Sequence, residues 1–300
     1  MKHRLLLLFA GLLLLTIAGC EKDFDVSSLE GDKKLVVNCL IDNLRPVKVF
    51  LTESVSPTGN NQVYPVTDAI VSLYVNDSFV QQLPFVYTDA AQTFGAYTIA
   101  NLGVPGSKYS VKIEHAKYGA VSAQDTLLPV PVVTGYQLVK FGDSTNNYTG
   151  KFRFLLSDAA ERQNFYRLNV YQSGQELTVN VSGDTVVSGY GIGSRPEMQT
   201  TLQDTVRDLN TYLLFSDKDF NGQQKEMEFT VRCVDLNKVL SANFTVELMA
   251  ISDAHYNYYK NLQDRAEFGS GSSVKPYGNI QGGYGIFMTQ SIYTVTIPVK

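Results

Sequence analysis

Residues 108–114 of the chain read KYSVKIE, and this stretch contains the pattern that decides the fold. The apolar Val111 and Ile113 alternate with charged residues, so an extended backbone would place the two kinds of side chain on opposite faces. Such alternation is typical of a half-buried strand in a sheet with a core on one side and water on the other. The stretch predicts a mainly β protein built from packed sheets.

Short segments of the same kind lie on both sides of it, and turn residues separate them. Strands are expected at 34–41, 47–52, 69–75, 79–83, 97–100, 108–114 and 120–125. Gly, Pro, Asn, Asp and Ser lie between these segments, as in tight turns. Short strands at this spacing predict an immunoglobulin-like or prealbumin-like sandwich over residues 34–128.

The segment 129–133, PVPVV, is interpreted as a linker, because each Pro fixes φ and disfavours helix before it. A second β-rich domain is predicted over 134–300. Its strands are expected at 151–156, 165–171, 176–181, 212–215, 226–234, 244–251 and 291–299. Two polar stretches rich in Gly and Ser, 142–150 and 182–200, are expected to be long loops.

One short helix is predicted near residues 253–267. Ser252 can cap its first turn, and Asp253 places negative charge where a helix N-terminus favours it. The apolar and aromatic residues that follow recur at helical spacing, so one face of the helix should pack against a sheet.

The first twenty residues form an export signal. A short basic start precedes the apolar run 5–18, which is shorter than the roughly 20 residues that a membrane-spanning helix needs. The sequence Ile17-Ala18-Gly19-Cys20 resembles the lipobox of bacterial lipoproteins, where cleavage between Gly19 and Cys20 leaves an acylated cysteine. The alternative is an ordinary secretory signal with an incidental cysteine. The expected result is a signal peptide at 1–19 and a palmitate-type anchor on Cys20.

A polar tether is expected at 20–33, before the first strand. Its start, EKDFD at 21–25, resembles the surface-export signal of Bacteroidota lipoproteins. The alternative is a solvated spacer that faces the periplasm.

The charge of the chain argues against two classes of partner. The sequence has 25 Lys and Arg against 29 Asp and Glu, and loss of Lys2 and Arg4 with the signal makes it more acidic. An acidic chain without basic clusters argues against nucleic acid and against electrostatic binding to anionic lipid.

Two cysteines remain after acylation of Cys20. Cys39 and Cys233 both lie in expected strand interiors, and an oxidising compartment permits a disulfide between them. The alternative is that each is an unpaired, buried apolar side chain.

Catalytic motifs are weak. No Gly-x-Ser-x-Gly or His-Glu-x-x-His occurs, and only His115 and His255 remain after signal removal. His255 falls on the apolar side of the expected helix, and His115 falls in an expected solvated turn. The sequence indicates a protein that is not an enzyme.

One acidic segment fits a cation-binding pattern. Asp217, Asp219, Asn221 and Glu228 match the spacing D-x-D-x-N-G-x₅-E of a calcium loop, which supplies the oxygen ligands that calcium prefers. The expected flanks are strands, however, and Asn221-Gly222 is also the strongest short signal for a β-hairpin. The hairpin is the favoured interpretation, and no cofactor is otherwise expected.

Two further patterns have simple alternatives. Thr126, Ser144, Thr185 and Thr205 each follow an Asp in triplets that resemble the Asp-Ser/Thr-apolar O-glycosylation signal of Bacteroidota, although ordinary turns use the same residues. The glycines at 278–285 precede a strand and not a helix, so they indicate tight turns or close backbone approach, not a phosphate loop.

An ordered set of motifs supports a family resemblance. It comprises the lipobox, LVVNCLI at 35–41, PVTDAIV at 65–71, the Pro-rich linker, Phe215-Ser216-Asp217, the Tyr-rich helix and GNIQGGYGIF at 278–287. Together these resemble the Bacteroidota outer-membrane lipoprotein family classed as domain of unknown function 4249, with Cys39 where Gly is expected. The family has no established activity. The resemblance implies an outer-membrane lipoprotein, often associated with TonB-dependent transporters.

These observations predict a lipid-anchored binding or accessory protein of the outer membrane, displayed on the cell surface beside a TonB-dependent transporter in nutrient capture. Its ligand is not apparent from the sequence. The alternatives are a structural, adhesion or envelope-assembly lipoprotein and, third, a hydrolase.

Replacing Cys20 by Ser tests the anchor. The hydroxyl cannot be acylated as the thiol is, so the variant should lose fatty-acid labelling and leave the detergent phase. Metabolic labelling with a fatty acid and detergent phase separation measure the two effects. If the variant partitions as the wild type does, the lipoprotein prediction is wrong.

Overall fold

A computed structural model of the protein describes residues 32–56, 62–142, 149–194, 196–198, 206–207, 212–232, 239–268 and 276–298. The first half contains β1 (Leu35–Asp42), β2 (Pro46–Glu53), β3 (Ile70–Val75), β4 (Ser78–Gln82), β5 (Phe85–Tyr87), β6 (Gly95–Leu102), β7 (Lys108–His115), β8 (Gly119–Thr126) and β9 (Val132–Gly142). The second half contains β10 (Thr149–Ser157), β11 (Phe165–Val179), β12 (Thr185–Ser194), β13 (Pro196–Met198), β14 (Val206–Arg207), β15 (Tyr212–Ser216), β16 (Gln224–Arg232), β17 (Val239–Ile251), the helix α1 (Asp253–Phe268) and β18 (Tyr284–Pro298). Lys34–Ser54 and the part described from Val63 onward belong to one compact unit.

A central sheet runs through both halves of the sequence, in the order β14-β15-β11-β17-β18-β1-β2-β6-β5, with β12 also paired to β11. The long strand β18 joins the two halves. Its first part pairs in parallel with β1, from Val36 opposite Tyr284 to Asp42 opposite Gln290. Its second part pairs antiparallel with β17, so β18 has a partner strand on each side.

The first sandwich forms where the sheet β4-β3-β7-β8 packs onto the β1, β2 and β6 part of the central sheet. Val111 and Ile113 on β7 are buried while their charged neighbours are exposed, as the alternation in this stretch predicts. Leu35, Val37 and Cys39 face them from β1. The sandwich-like, mainly β fold with one helix is therefore confirmed.

A second core lies between the sheet β13-β16-β10-β9 and the β15, β11 and β17 part of the central sheet. Aromatic rings fill much of it. Phe152 stacks on Phe229 and meets Phe244 edge to face, with ring centroids 5.4 and 5.3 Å apart. Leu127 belongs to the first core and Leu128 to the second, so the two cores separate next to the segment 129–133. The central sheet, in contrast, contains strands from both sides of this segment. The division into two domains stays a prediction.

The helix α1 covers the opposite face of the central sheet. Ser252 caps it as predicted, because its Oγ accepts a hydrogen bond from the backbone N–H of His255 at 3.2 Å. Tyr256 stacks on Phe165 of β11 with centroids 4.1 Å apart, and Ala254 packs near Ile286 and Met288 of β18. Within the described parts of the chain, no helix is long and apolar enough to cross a bilayer.

Two expectations about loops need correction. The stretch 182–200 is not a long loop: β12 pairs with β11 over ten residue pairs, from Val170 opposite Ser194 to Val179 opposite Thr185. Its Gly and Ser residues suggested a loop, but the backbone pairing and Thr185-Val186-Val187 outweigh that composition. The predicted linker also ends early, because β9 begins at Val132. Of the other expected loop, 143–148 lies outside the described residues.

Gly285 tests how the central sheet is held together. Its φ is +104°, and a Cβ at this position would stand 2.0 Å from the carbonyl oxygen of Val37. Gly285→Ala should therefore lower the free energy of unfolding by about 2–4 kcal/mol, measured by urea denaturation. Gly191→Ala on β12 is the matched control, because a Cβ there meets nothing within 4 Å. Equal stability of the two variants would contradict the close approach.

Candidate functional site

A cleft of about 460 Å³ opens on the outer face of the central sheet, beside α1. Alternate residues of β11, β17 and β18 form its floor, since side chains two apart on a strand point to the same face. The β1–β2 turn and Tyr259 of the helix form its walls. Its polar lining residues are Arg45, Arg167, Asn169, Glu247 and Gln290, and its apolar ones include Leu40, Met249 and Ile292.

Arg167 is held in a fixed direction on β11. Its guanidinium carbon lies 4.3 Å from the ring centroid of Tyr212 and 5.1 Å from that of Tyr259. Its Nε donates a hydrogen bond to Oδ1 of Asn169 at 3.0 Å, and Asn169 in turn donates to the hydroxyl of Tyr171. Among the residues that the structure describes, no carboxylate pairs with this cation. Its terminal nitrogens remain available to a ligand.

Glu247 lies opposite Asn169 on the neighbouring strand β17. The side chain is half-buried, and no hydrogen bond or ion pair to it occurs within the described ranges. Besides Arg45, which pairs with Asp42, the cleft therefore contains a cation, Arg167, and an anion, Glu247, that do not pair with each other.

Gln290 on β18 adds an unsatisfied polar group. It is 3% exposed, lines the cleft, and its Oε1 has no hydrogen-bond partner among the residues that the structure describes. A buried acceptor without a partner costs about 1–3 kcal/mol, so such groups are rare unless something else binds them. The arrangement suits the binding of a small polar molecule that donates a hydrogen bond here.

A second cavity, of about 610 Å³, is lined by Tyr258 of α1. Lys34 and Asn38 of the β1 region and Tyr258, Tyr277 and Tyr284 line it with the Gly-rich segment. Lys34 lies over the ring of Tyr284 at 5.4 Å. This cavity lacks the unpaired, buried side chain that distinguishes the cleft.

The Gly-rich segment 278–285 brings backbones close together, as its composition predicts. Besides Gly285, a Cβ on Gly283 would stand 2.7 Å from the carbonyl oxygen of Leu35. Asn279 extends the sheet with its side chain, which donates to the carbonyl of Phe287 and accepts from its N–H at 2.7 and 2.9 Å. The segment is structural in the part described.

The structure places the two histidines in different surroundings. His255 is fully buried against the ring of Tyr259, and burial, helped by the charge of Arg167, lowers its pKa to about 3, so it is neutral. His115 is not solvated as expected: its side chain is 7% exposed and its Nε2 lies 3.0 Å from Asp68. Its Nδ1 accepts from the backbone N–H of Lys117, so the ring fastens the β7–β8 turn.

The segment 217–223 is not a hairpin, contrary to the favoured interpretation. It connects β15 of the central sheet to β16 of the other sheet, and those strands do not pair with each other. Gly222 has a φ of +71°, but Asn221 is not in the left-handed region that a type I′ turn requires. Asn-Gly here serves a crossover between sheets.

The four calcium candidates are not gathered around one point. Asp217 is fully buried and accepts from the backbone N–H of Asn164 at 2.8 Å, whereas Asp219 and Asn221 are exposed. Glu228 lies on β16, where its two oxygens pair with Lys151 at 2.7 Å and Arg153 at 2.9 Å. Across the described ranges, no group of three His, Cys, Asp or Glu is placed to hold a metal. Calcium binding, the interpretation that the sequence favours less, stays a hypothesis.

The modification sites are only partly visible. Thr126 and Thr185 are exposed at the ends of β8 and β12, which leaves O-glycosylation of them open as a prediction. Gly19, Cys20, Ser144, Thr205 and Cys233 lie outside the described residues. Cys39 is buried and has no disulfide partner among the described residues, and burial raises the pKa of its thiol. Its pairing with Cys233 stays a prediction.

Sequence patterns did not single out the cleft. The alternation of Arg167 and Asn169 with the buried Tyr166 and Leu168 predicts only that one face of β11 is polar. The partners of these residues come from β17 and β18, more than 75 residues away. No local motif marks that meeting point.

A family model described as a domain of unknown function, DUF4249, matches residues 21–296, and the chain belongs to this family. No curated protein matches the chain. A solved structure of a protein from Corynebacterium diphtheriae, described as membrane anchored, aligns at 9% identity over 74% of this chain, with a TM-score of 0.19. The alignment spans 55% of that protein's length. A likeness at this level carries no argument about fold or function.

Asp217 gives a pH-dependent prediction. Burial, with the negative charge of Asp158, raises its pKa to about 6 from an ordinary 3.8. A carboxyl whose pKa is raised by folding contributes stability that is complete below the unfolded pKa and is lost as pH rises through the folded one. Asp217→Asn should therefore gain stability relative to wild type between about pH 4 and pH 8, by up to about 3 kcal/mol.

Urea denaturation of both proteins at the two pH values measures this difference. Asp184→Asn, in the exposed turn between β11 and β12, is the matched control and should show no such change. If the difference between Asp217→Asn and wild type is the same at both pH values, Asp217 ionises in the fold as it does in the unfolded chain.

Proposed function

We propose that this member of the DUF4249 family is a lipid-anchored binding protein of the Bacteroidota outer membrane. It is displayed on the cell surface and works beside a TonB-dependent transporter in nutrient capture. The export signal, the lipobox at Cys20 and the charged residues 21–25 support the location. The cleft beside α1 supports the binding activity.

The single observation that carries the binding function is the set of unpaired groups in this cleft. Among the described residues, a cation without a carboxylate partner, an anion without a cation partner and a buried acceptor without a donor face one cavity, and a ligand that satisfies them would stabilise the protein. The cavity volume falls within the ordinary range for small-molecule sites. If these side chains had only a structural role, apolar residues at the same positions would make the folded protein more stable.

A structural or envelope-assembly role is the second candidate, and one feature favours it. The β11–β12 hairpin extends past Glu176, where β17 stops pairing with β11. On one face of this extension Leu177, Val179 and Val187 are 46%, 70% and 56% exposed. An exposed apolar face of this kind is typical of a contact with another protein. A hydrolase is the third candidate. It ranks last because, in the described part of the chain, the cleft contains no nucleophile paired with a base.

Affinity isolation from native membranes, followed by mass spectrometry, tests the proposal. A co-isolating TonB-dependent transporter is the expected result, and envelope-assembly proteins in its place would favour the second candidate. Val179→Ser with Val187→Ser removes two of the three exposed apolar side chains from this face of the hairpin, while Thr178→Ser on its other face is the matched control. Loss of partners in the first variant alone would assign the contact to the hairpin.

Surface display is tested separately. Protease added to intact cells should digest the protein while a periplasmic control survives. Digestion only after lysis would place the protein inside the outer membrane and overturn its role beside a transporter at the cell surface.

A further inference from the structure

We infer that the cleft binds a short peptide with a free amino end and a free carboxylate end. This inference rests on the proposed binding function and specifies its ligand. The charged side chains of the cleft decide which class of ligand can enter this partly buried site without a large desolvation cost.

The geometry separates the two charges by a fixed step. Arg167 lies opposite Met249 on β17, and Glu247 is two residues from Met249 on the same face. Arg167 and Glu247 are therefore diagonal neighbours, and such residues are typically about 7–8 Å apart, with their Cβ atoms somewhat closer. They form no ion pair within 4 Å, so a ligand can enter between them and meet one charge at each end.

Arg167 is suited to a carboxylate. Its guanidinium lies against the rings of Tyr212 and Tyr259 and donates to Asn169, and its terminal nitrogens form the planar fork that carboxylates accept in a bidentate manner. Arg45 at the rim does not compete for this role, because it pairs with Asp42.

Glu247 is suited to an ammonium group, and Gln290 to an N–H. An α-ammonium can pair with the free carboxylate of Glu247, and either the ammonium or a peptide N–H can satisfy the buried Oε1 of Gln290. The apolar Leu40, Met249 and Ile292 leave room for side chains of the peptide.

Other ligand classes fit less well. A neutral sugar would leave both Arg167 and Glu247 desolvated and unpaired, and an acidic sugar would satisfy the first and be repelled by the second. A zwitterion satisfies both. This charge complementarity favours a peptide with two free ends.

Calorimetry on the full-length chain in detergent tests the inference with Ala-Ala and its two capped forms, acetylated at the amino end or amidated at the carboxyl end. Ala-Ala should bind, and each capped form should bind about tenfold more weakly, because one charged contact is lost. Equal binding of the capped and free forms would overturn the inference.

Matched variants assign each end. Arg167→Gln should weaken the binding of Ala-Ala about tenfold and leave the binding of the amidated form unchanged. Glu247→Gln should also weaken the binding of Ala-Ala about tenfold, but it should leave the binding of the acetylated form unchanged. Arg167→Lys keeps the charge and should restore part of the affinity. Glu114→Gln, on the exposed face of β7, is the control and should bind as wild type does.

Gln290→Leu separates binding from a structural role. Removing the unpaired acceptor should raise the melting temperature of the free protein and weaken Ala-Ala at the same time. A lower melting temperature would show that Gln290 is needed for packing, and would overturn its assignment to the ligand.

The outcomes distinguish this inference from the function on which it rests. Failure of Ala-Ala at millimolar concentration, together with binding of an oligosaccharide that Arg167→Gln abolishes, would overturn the peptide and retain the cleft as a binding site. Failure of the transporter to co-isolate, with peptide binding intact, would overturn the proposed partner and retain the ligand.

Discussion

The carbonyl oxygen of Val37 approaches the backbone of residue 285 so closely that no side chain fits there, and the rest of the architecture depends on this contact. It fixes the register in which β18 enters the central sheet between β1 and β17. In that register Phe287 faces the first core, while Ile286 and Met288 face α1. A slip of one residue would exchange these faces, so the core, the helix and the floor of the cleft would be lost together.

The same register explains why the cleft can tolerate unpaired polar groups. Gln290 lies at the point where β18 changes from a parallel to an antiparallel partner, opposite both Asp42 and Ile251. Strands on both sides and the helix beside it hold its backbone, so the lone Oε1 can stay buried. Arg167 is fixed in a comparable way by two rings and an amide, which reduces the conformational entropy lost when a ligand binds.

Local patterns in the sequence predicted what local physics controls. The alternation around Val111 gave a half-buried strand, Ser252 marked the helix start, and the glycines at 278–285 indicated close backbone approach. The errors fall where distant segments decide the outcome. Asn221-Gly222 has the chemistry of a hairpin, but its flanking strands belong to different sheets. The sequence did not indicate the cleft because Arg167 and Glu247 meet only through strand pairing. The burial of His115 was not predicted because its partner Asp68 is distant in sequence.

The position of β18 also sets the order in which the fold can be completed. Asn43 donates to the carbonyl of Ile292 across 249 residues of sequence, and β1 gains its parallel neighbour only through β18. A chain synthesised from its first residue onward therefore holds β1 without this partner until nearly all the other strands have been made. Contacts this distant form slowly, and unpaired strand edges attract other chains during the delay. The late arrival of one strand makes biogenesis, more than the finished protein, the stage at which this molecule is most exposed to aggregation.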